Sequence, residues 1–332
     1  LATAISKYYF YLRKENQSKK YATLKESLIN VVNQKQALND TILKRCNESM
    51  TTLLTVINEM DEEVKSPNWQ DIRQTIITKV VLPNARKLSD SKKWFKRYMA
   101  TQCFNLGKEE GDDSYISQLI KDKVLLVSLN AAEVAVKNPS DELIQSIIST
   151  YSQARKIQNA TFAKILSNSE SNMTPLILNR IIKAEDPYER VFCYRVLSDL
   201  PPQKEISPFA SSDVHDPNMN LQIATMHYLA HNNAENIENI LIENLDNDKW
   251  QVRAAAVKLL GQLKSTKSIN LISTKLKDSE WWVRINAAQA LAELGNKGLA
   301  VLKSFDKDSD FFASETAAHV LSSINIKSEK NE

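Results

Sequence analysis

Apolar residues recur along this chain at helical intervals almost from end to end. Residues 1–66 contain neither glycine nor proline, and Leu24, Leu28, Val31, Leu38, Ile42, Leu53, Val56 and Met60 mark a stripe with a period of about 3.5. The stripe predicts one long helix, or two in line. Lys35, Arg45 and Ser49 interrupt it, which sets packing as an N-terminal cap against a sustained coiled coil. Ser66-Pro67-Asn68 then predicts the start of a further helix through Ile76, Ile77, Val80 and Val81, ending near Pro83.

From residue 81 onward the stronger signal is an internal period. Trp250, Val252, Arg253, Ala256 and Leu260 coincide with Trp281, Val283, Arg284, Ala287 and Leu291 when the chain is slid over itself. The frame steps back from Arg284 through Arg253, Gln222, Arg190, Asn159, Ser128 and Arg97, and forward to Ser314. About eight units of about 31 residues therefore cover residues 81–326. Each unit reads as two short helices. Ile269, Leu271, Ile272 and Leu276 form one apolar face, and Val283, Ala287, Leu291 and Leu294 a second. Asp278 stands between them as a cap for the second helix, with Asp122, Asp216 and Asp308 in similar slots. Small residues at Ala131, Ala256 and Ala287 allow close helix approach. A hairpin this short cannot bury its apolar face alone, so neighbouring units must cover it. The predicted fold is an all-α superhelix with a long concave face.

The set Asp278, Val283, Arg284, Ala287, Ala288 and Leu291 resembles the short bacterial HEAT repeats, also called PBS-lyase-like repeats. The resemblance covers about three quarters of the chain and is closest for the two units around Arg253 and Arg284. It implies a right-handed α-α superhelix and an Asp–Arg ladder running along the stack. Ser128, Asn159 and Gln222 in place of Arg, and Asn247 in place of Asp, leave only part of that ladder. Phycobilin lyases carry such repeats, but no motif here transfers their activity.

Two segments depart from the pattern. Pro201, Pro202 and Pro208 fall where the first helix of a unit belongs, which predicts a short helix or an ordered loop. Residues 327–332 lack apolar side chains and are expected to fray as a disordered tail.

Composition narrows the class without changing it. Five glycines, none before Gly107, are too few for the turns of a sheet protein of 332 residues. Cys46, Cys103 and Cys193 lie far apart, with no disulfide or zinc spacing, which suits a reducing compartment. The first hundred residues are net basic and the remainder net acidic, a gradient that fits an anionic partner near the N-terminus or simply a solvated helix face. The opening runs from Leu1 through Tyr8, Tyr9, Phe10 and Tyr11 to Arg13 and Lys14. That order occurs where a membrane helix leaves the bilayer on its cytoplasmic side. A packed amphipathic helix is the alternative. The expected location is the bacterial cytoplasm, with anchoring at the inner membrane by a segment upstream of Leu1 as the variant.

No nucleophile elbow, phosphate loop or dinucleotide fingerprint is present, and no catalytic residue, cofactor or small-molecule substrate is expected. His227 and His231 sit four apart, as zinc ligands can, with His215 as a conceivable third; a metal-dependent enzyme is the third-ranked reading. Lys92, Lys93 and Lys96 beside Trp94 and Phe95 are anion-binding candidates for a nucleic-acid or polyanion binder, the second reading. Trp94 shares its frame with Trp250 and Trp281, which points instead to packing. Trp282 differs, because its counterpart one unit earlier is the polar Gln251. An exposed Trp282 beside Arg253, Lys258, Asn286 and Gln289 would form a protein-binding hot spot, and a noncatalytic scaffold or adaptor that presents its concave face to a protein partner is the leading reading.

Overall fold

The computed structural model describes residues 2–203, 207–305 and 310–329, with side chains described within those spans from residue 16 to residue 323. Among the described residues every regular element is helical and none is a strand. The chain divides into two compact units, Leu1–Thr150 and Tyr151–Glu332.

The first unit opens with α1 (Ala2–Val32), α2 (Asp40–Asn47) and α3 (Met50–Glu63). In place of the expected single long helix, or two in line, the segment forms three helices folded together. Gln34, with φ of +57°, turns the chain out of α1. Asn39 then caps α2, its side chain accepting from the Thr41 and Ile42 amides at 3.1 Å, and Ser49 caps α3. The stripe residues Leu24, Leu28 and Val31 meet Leu53, Val56 and Met60 in a buried core. Two of the three interrupting residues tie the turn: Ser49 is a cap, and Arg45 donates to Ser27 Oγ.

Ser66 and Pro67 start α4 (Pro67–Ile76) as the capping pattern requires. Pro83 does not end it. A π-helical turn at Ile77–Val81 inserts ahead of the proline, so that α5 (Leu82–Ser89) continues the same rod with Pro83 in its first turn. Hairpins follow: α6 (Trp94–Phe104), α7 (Asp112–Ile120), α8 (Leu125–Lys137) and α9 (Asp141–Tyr151). α5 packs on α6 and α7 on α8, while α6 also packs on α8.

The second unit contains α10 (Lys156–Ser167), α11 (Thr174–Lys183), α12 (Pro187–Asp199), α13 (Ala210–Asp213), α14 (Met219–His231) and α15 (Ile237–Glu243). It continues with α16 (Trp250–Gln262), α17 (Ile269–Thr274), α18 (Trp281–Glu293), α19 (Gly295–Ser304) and α20 (Phe311–Glu329). Here α12, α14, α16, α18 and α20 pack side by side as one layer, each also touching the first helix of its own hairpin. This is solenoid stacking. The proline-rich first helix shrinks to the single turn α13, with residues 204–206 outside the described part. Residues 327–329 continue α20, and residues 330–332 of the expected tail, like Asp308, lie outside it.

Arg97, Ser128, Asn159, Arg190, Gln222, Arg253, Arg284 and Ser314 each occupy the fourth position of a second helix, in α6, α8, α10, α12, α14, α16, α18 and α20 respectively. The seventh position is buried every time, and it is small in all but one: Ala100, Ala131, Cys193, Thr225, Ala256, Ala287 and Ala317. The exception is Phe162 in α10, whose ring stacks on Tyr151 at 3.4 Å.

Candidate interaction surface

The fourth-position arginine organises the loop edge of each stack. Arg253 Nη1 reaches back to the carbonyls of Asn247 and Asp248 at 2.8 and 3.2 Å, just before its own helix. Its Nε and Nη2 reach forward to both carboxylate oxygens of Asp278, each at 2.8 Å. Arg97 repeats this with Ser91, Lys92 and Asp122. Asp278 and Asp122 stand two residues before the N-cap positions expected of them, which Glu280 and Val124 occupy. Each accepts the amide two residues ahead, Glu280 at 3.0 Å and Val124 at 2.8 Å, and so fixes the loop that enters the helix. Burial raises both carboxyls, but the guanidinium and the backbone amide outweigh it and hold them below the usual range.

The ladder changes hands where the sequence departs from the pattern. Asp213, at the end of α13, takes the place of a loop carboxylate, bonding Arg190 and Tyr194 Oη at 2.8 Å each. Here burial dominates and raises Asp213. Asn159 substitutes its amide for a guanidinium, donating to Tyr151 and Ser152 carbonyls at 2.9 Å and accepting from Arg195. Arg284 holds the Asp278 and Ser279 carbonyls and lays its guanidinium 5.0 Å from the Phe312 ring centre.

At several second helices the first two positions project from the edge beside the clamped loops, although Trp250 and Gln251 of α16 are half-buried. Trp94 and Trp281 are 48% and 49% exposed, so the packing role expected from their shared frame is not what they have. Phe95, Leu125, Leu126, Ile157, Tyr188, Trp282, Phe311 and Phe312 are also exposed. Trp281 and Trp282 pack edge to face at 4.6 Å, and Phe311 and Phe312 at 5.7 Å, one hairpin apart. This column sits three and two residues before the frame residue in unit after unit, a signal legible in the sequence itself.

On the second-helix layer, Trp282 is 55% exposed, with Gln289 exposed and Asn286 half-buried along the same helix. Lys258 on the neighbouring α16 is exposed too. Arg253 is not part of this row, since its guanidinium is spent in the ladder. The Lys258 ammonium acts on His227 of α14, whose imidazolium is disfavoured first by burial and then by that charge. Beyond His227 a groove of about 600 Å³ crosses α10, α12 and α14, lined among others by Tyr188, Arg195 and Asn220. Lys92, Lys93 and Lys96 of the first unit are exposed.

His231 Nε2 lies 2.7 Å from the Leu200 carbonyl. Among the described residues no group of three or more His, Cys, Asp or Glu is placed to hold a metal ion. All three cysteines are free and buried, and burial pushes Cys46 up to about 11 and Cys103 to about 12. Among the described residues no helix is long and apolar enough to cross a membrane. The side chains of the aromatic opening, residues 1–14, lie outside them.

The repeating hairpin, its alanine contact and its Arg–Asp ladder agree with a sequence match. Residues 238–322 match the family described as HEAT repeats. The segment runs from α15 into α20 and contains the Arg253–Asp278 rung and the Trp281–Trp282 and Phe311–Phe312 doublets. Similar solved structures include the following two. Human deoxyhypusine hydroxylase, in complex with glycerol, is 16% identical over 77% of this chain and 98% of its own, with a TM-score of 0.32. The Escherichia coli protein YibA is 18% identical over 89% of this chain and 96% of its own, with a TM-score of 0.31. At that level neither neighbour's chemistry carries over. No curated protein matches the sequence.

Proposed function

We propose that this chain is a noncatalytic scaffold that holds a protein partner on the second-helix layer of its second unit, centred on Trp282. One observation carries the reading: four aromatic side chains, Trp281, Trp282, Phe311 and Phe312, stand exposed on two adjacent helix starts that HEAT-type packing holds rigid. Exposed aromatic residues on a preorganised surface are the usual anchors of protein interfaces, because they bury much area at little conformational cost. Lys258, Asn286 and Gln289 supply the polar surround. The partner's matching surface would be apolar at its centre, with acceptors opposite Lys258.

The test uses the partner recovered by affinity purification and identified by mass spectrometry. Trp282→Ala should weaken its binding by at least tenfold, and Lys258→Ala with Gln289→Ala should weaken it less, while helical circular dichroism and melting temperature stay unchanged. Equal affinity for all variants would refute the assignment of this surface. A partner-independent catalytic activity of the purified chain would refute the noncatalytic role.

A further inference from the structure

The first unit carries a second exposed edge of different chemistry. The loop entering α6 presents Lys92 and Lys93, then Trp94, Phe95 and Lys96; the loop entering α8 presents Lys121 and Lys123, then Leu125 and Leu126. All nine side chains are exposed. The ladder staples the loops together, because Arg97 bonds the Ser91 carbonyl of the first at 2.9 Å and Asp122 of the second. None of the five ammonium groups pairs with a carboxylate among the described residues. The carboxylate within the loops, Asp122, is consumed by Arg97 and the Val124 amide, and Asp90 at the end of α5 accepts from Gln118 at 3.0 Å.

We propose that this edge docks on an anionic lipid surface. Lysines around exposed aromatic and aliphatic side chains match the two layers of a bilayer boundary: phosphate headgroups outside, acyl chains beneath. Lysine stems let the ammonium reach back to the phosphates while Trp94, Phe95, Leu125 and Leu126 enter the apolar layer. Nucleic acid fits less well. Two of the four apolar side chains are leucines, which give a base nothing to stack on, and the guanidinium at this edge is already spent in the ladder. The docking edge belongs to the first unit and the Trp282 surface to the second.

The experiment is sedimentation of the full chain with phosphatidylcholine vesicles, with and without about 30% phosphatidylglycerol, at low and physiological salt. Binding should require the anionic lipid, fall with salt, and shift Trp94 emission to the blue, a shift that Trp94→Phe removes. Each lysine contributes about fivefold near such a surface. Lys92→Ala with Lys93→Ala should therefore reduce binding more than tenfold. Leu125→Ser with Leu126→Ser should also cause a clear loss, with circular dichroism unchanged in both. Trp282→Ala should leave vesicle binding intact, which separates this edge from the partner surface. Absence of binding to anionic vesicles, or binding indifferent to both double variants, overturns the proposal. So does single-stranded RNA bound more tightly than vesicles, with the lysine but not the leucine variants weakening it.

Discussion

Arg253 and Asp278 stand 25 residues apart and meet through two parallel hydrogen bonds of 2.8 Å. The same guanidinium also holds the Asn247 and Asp248 carbonyls, so one side chain links the loops of consecutive hairpins. Arg253→Lys keeps the charge but cannot serve both directions at once. It should cost about 2 kcal/mol, and Arg253→Ala about 3, because a mostly buried carboxylate is left unpaired. Urea denaturation checks both. A loss below about 0.5 kcal/mol, the scale of an exposed pair, would contradict the ladder's role.

The ladder's acids should respond to pH in opposite senses. Asp278, held below the usual range, contributes stability above its unfolded value and loses it as pH falls through its folded value. Asp213 is raised by burial, so its contribution is full below its unfolded value and is lost as pH rises through its folded value. The deficit of Asp278→Asn should therefore shrink on acidification while that of Asp213→Asn grows. Melting curves from pH 7 down to about 3 measure both slopes; parallel slopes would contradict the assignment.

His227 reports the neighbourhood of the candidate surface. Burial and then Lys258 lower its pKa, so its stabilising contribution is intact above the ordinary histidine value and lost as pH falls through its folded value. Lys258→Ala should raise the His227 pKa without restoring it fully, since burial remains. An NMR titration of the imidazole measures this, and an unmoved value would mean that Lys258 does not act on His227.

Close approach of α16 and α18 should make Gly261 irreplaceable. A methyl group there would lie 2.7 Å from Ala290 Cβ and 2.8 Å from its Cα. Gly261→Ala should cost about 1–3 kcal/mol by overpacking. Gly107→Ala, whose added carbon meets Ile77 Cγ2 at an ordinary 3.6 Å, should stay within about 0.5 kcal/mol. Equal melting temperatures for the two variants would contradict the packing described.

Much of the fold is legible in the chain because the repeat is enforced by packing: the residues aligned with Arg97 and Arg284 all fall at the fourth position of a helix. Local breaks were harder to read. The helix over residues 1–66 divides at Gln34 and Asn39, whose turn and cap are decided by tertiary packing of α1 on α3 rather than by the stripe itself. Pro83 is absorbed by a π turn, which no apolar spacing announces. At the candidate surface, the polar counterpart Gln251 correctly marked Trp282 as exposed, but it gave no warning for Trp94 and Trp281. Periodicity identifies the face toward the core, whereas exposure at a helix start depends on where the loop is clamped. Arg253, read as a recognition residue, proved to be that clamp.

The scaffold account rests on where a partner touches. Hydrogen exchange of the chain with and without its purified partner tests this most directly, peptide by peptide. The account predicts new protection at the starts of α18 and α20 and on α16, with α17 and α19 unchanged. Protection confined to those first helices, or none anywhere in residues 250–323, would contradict it.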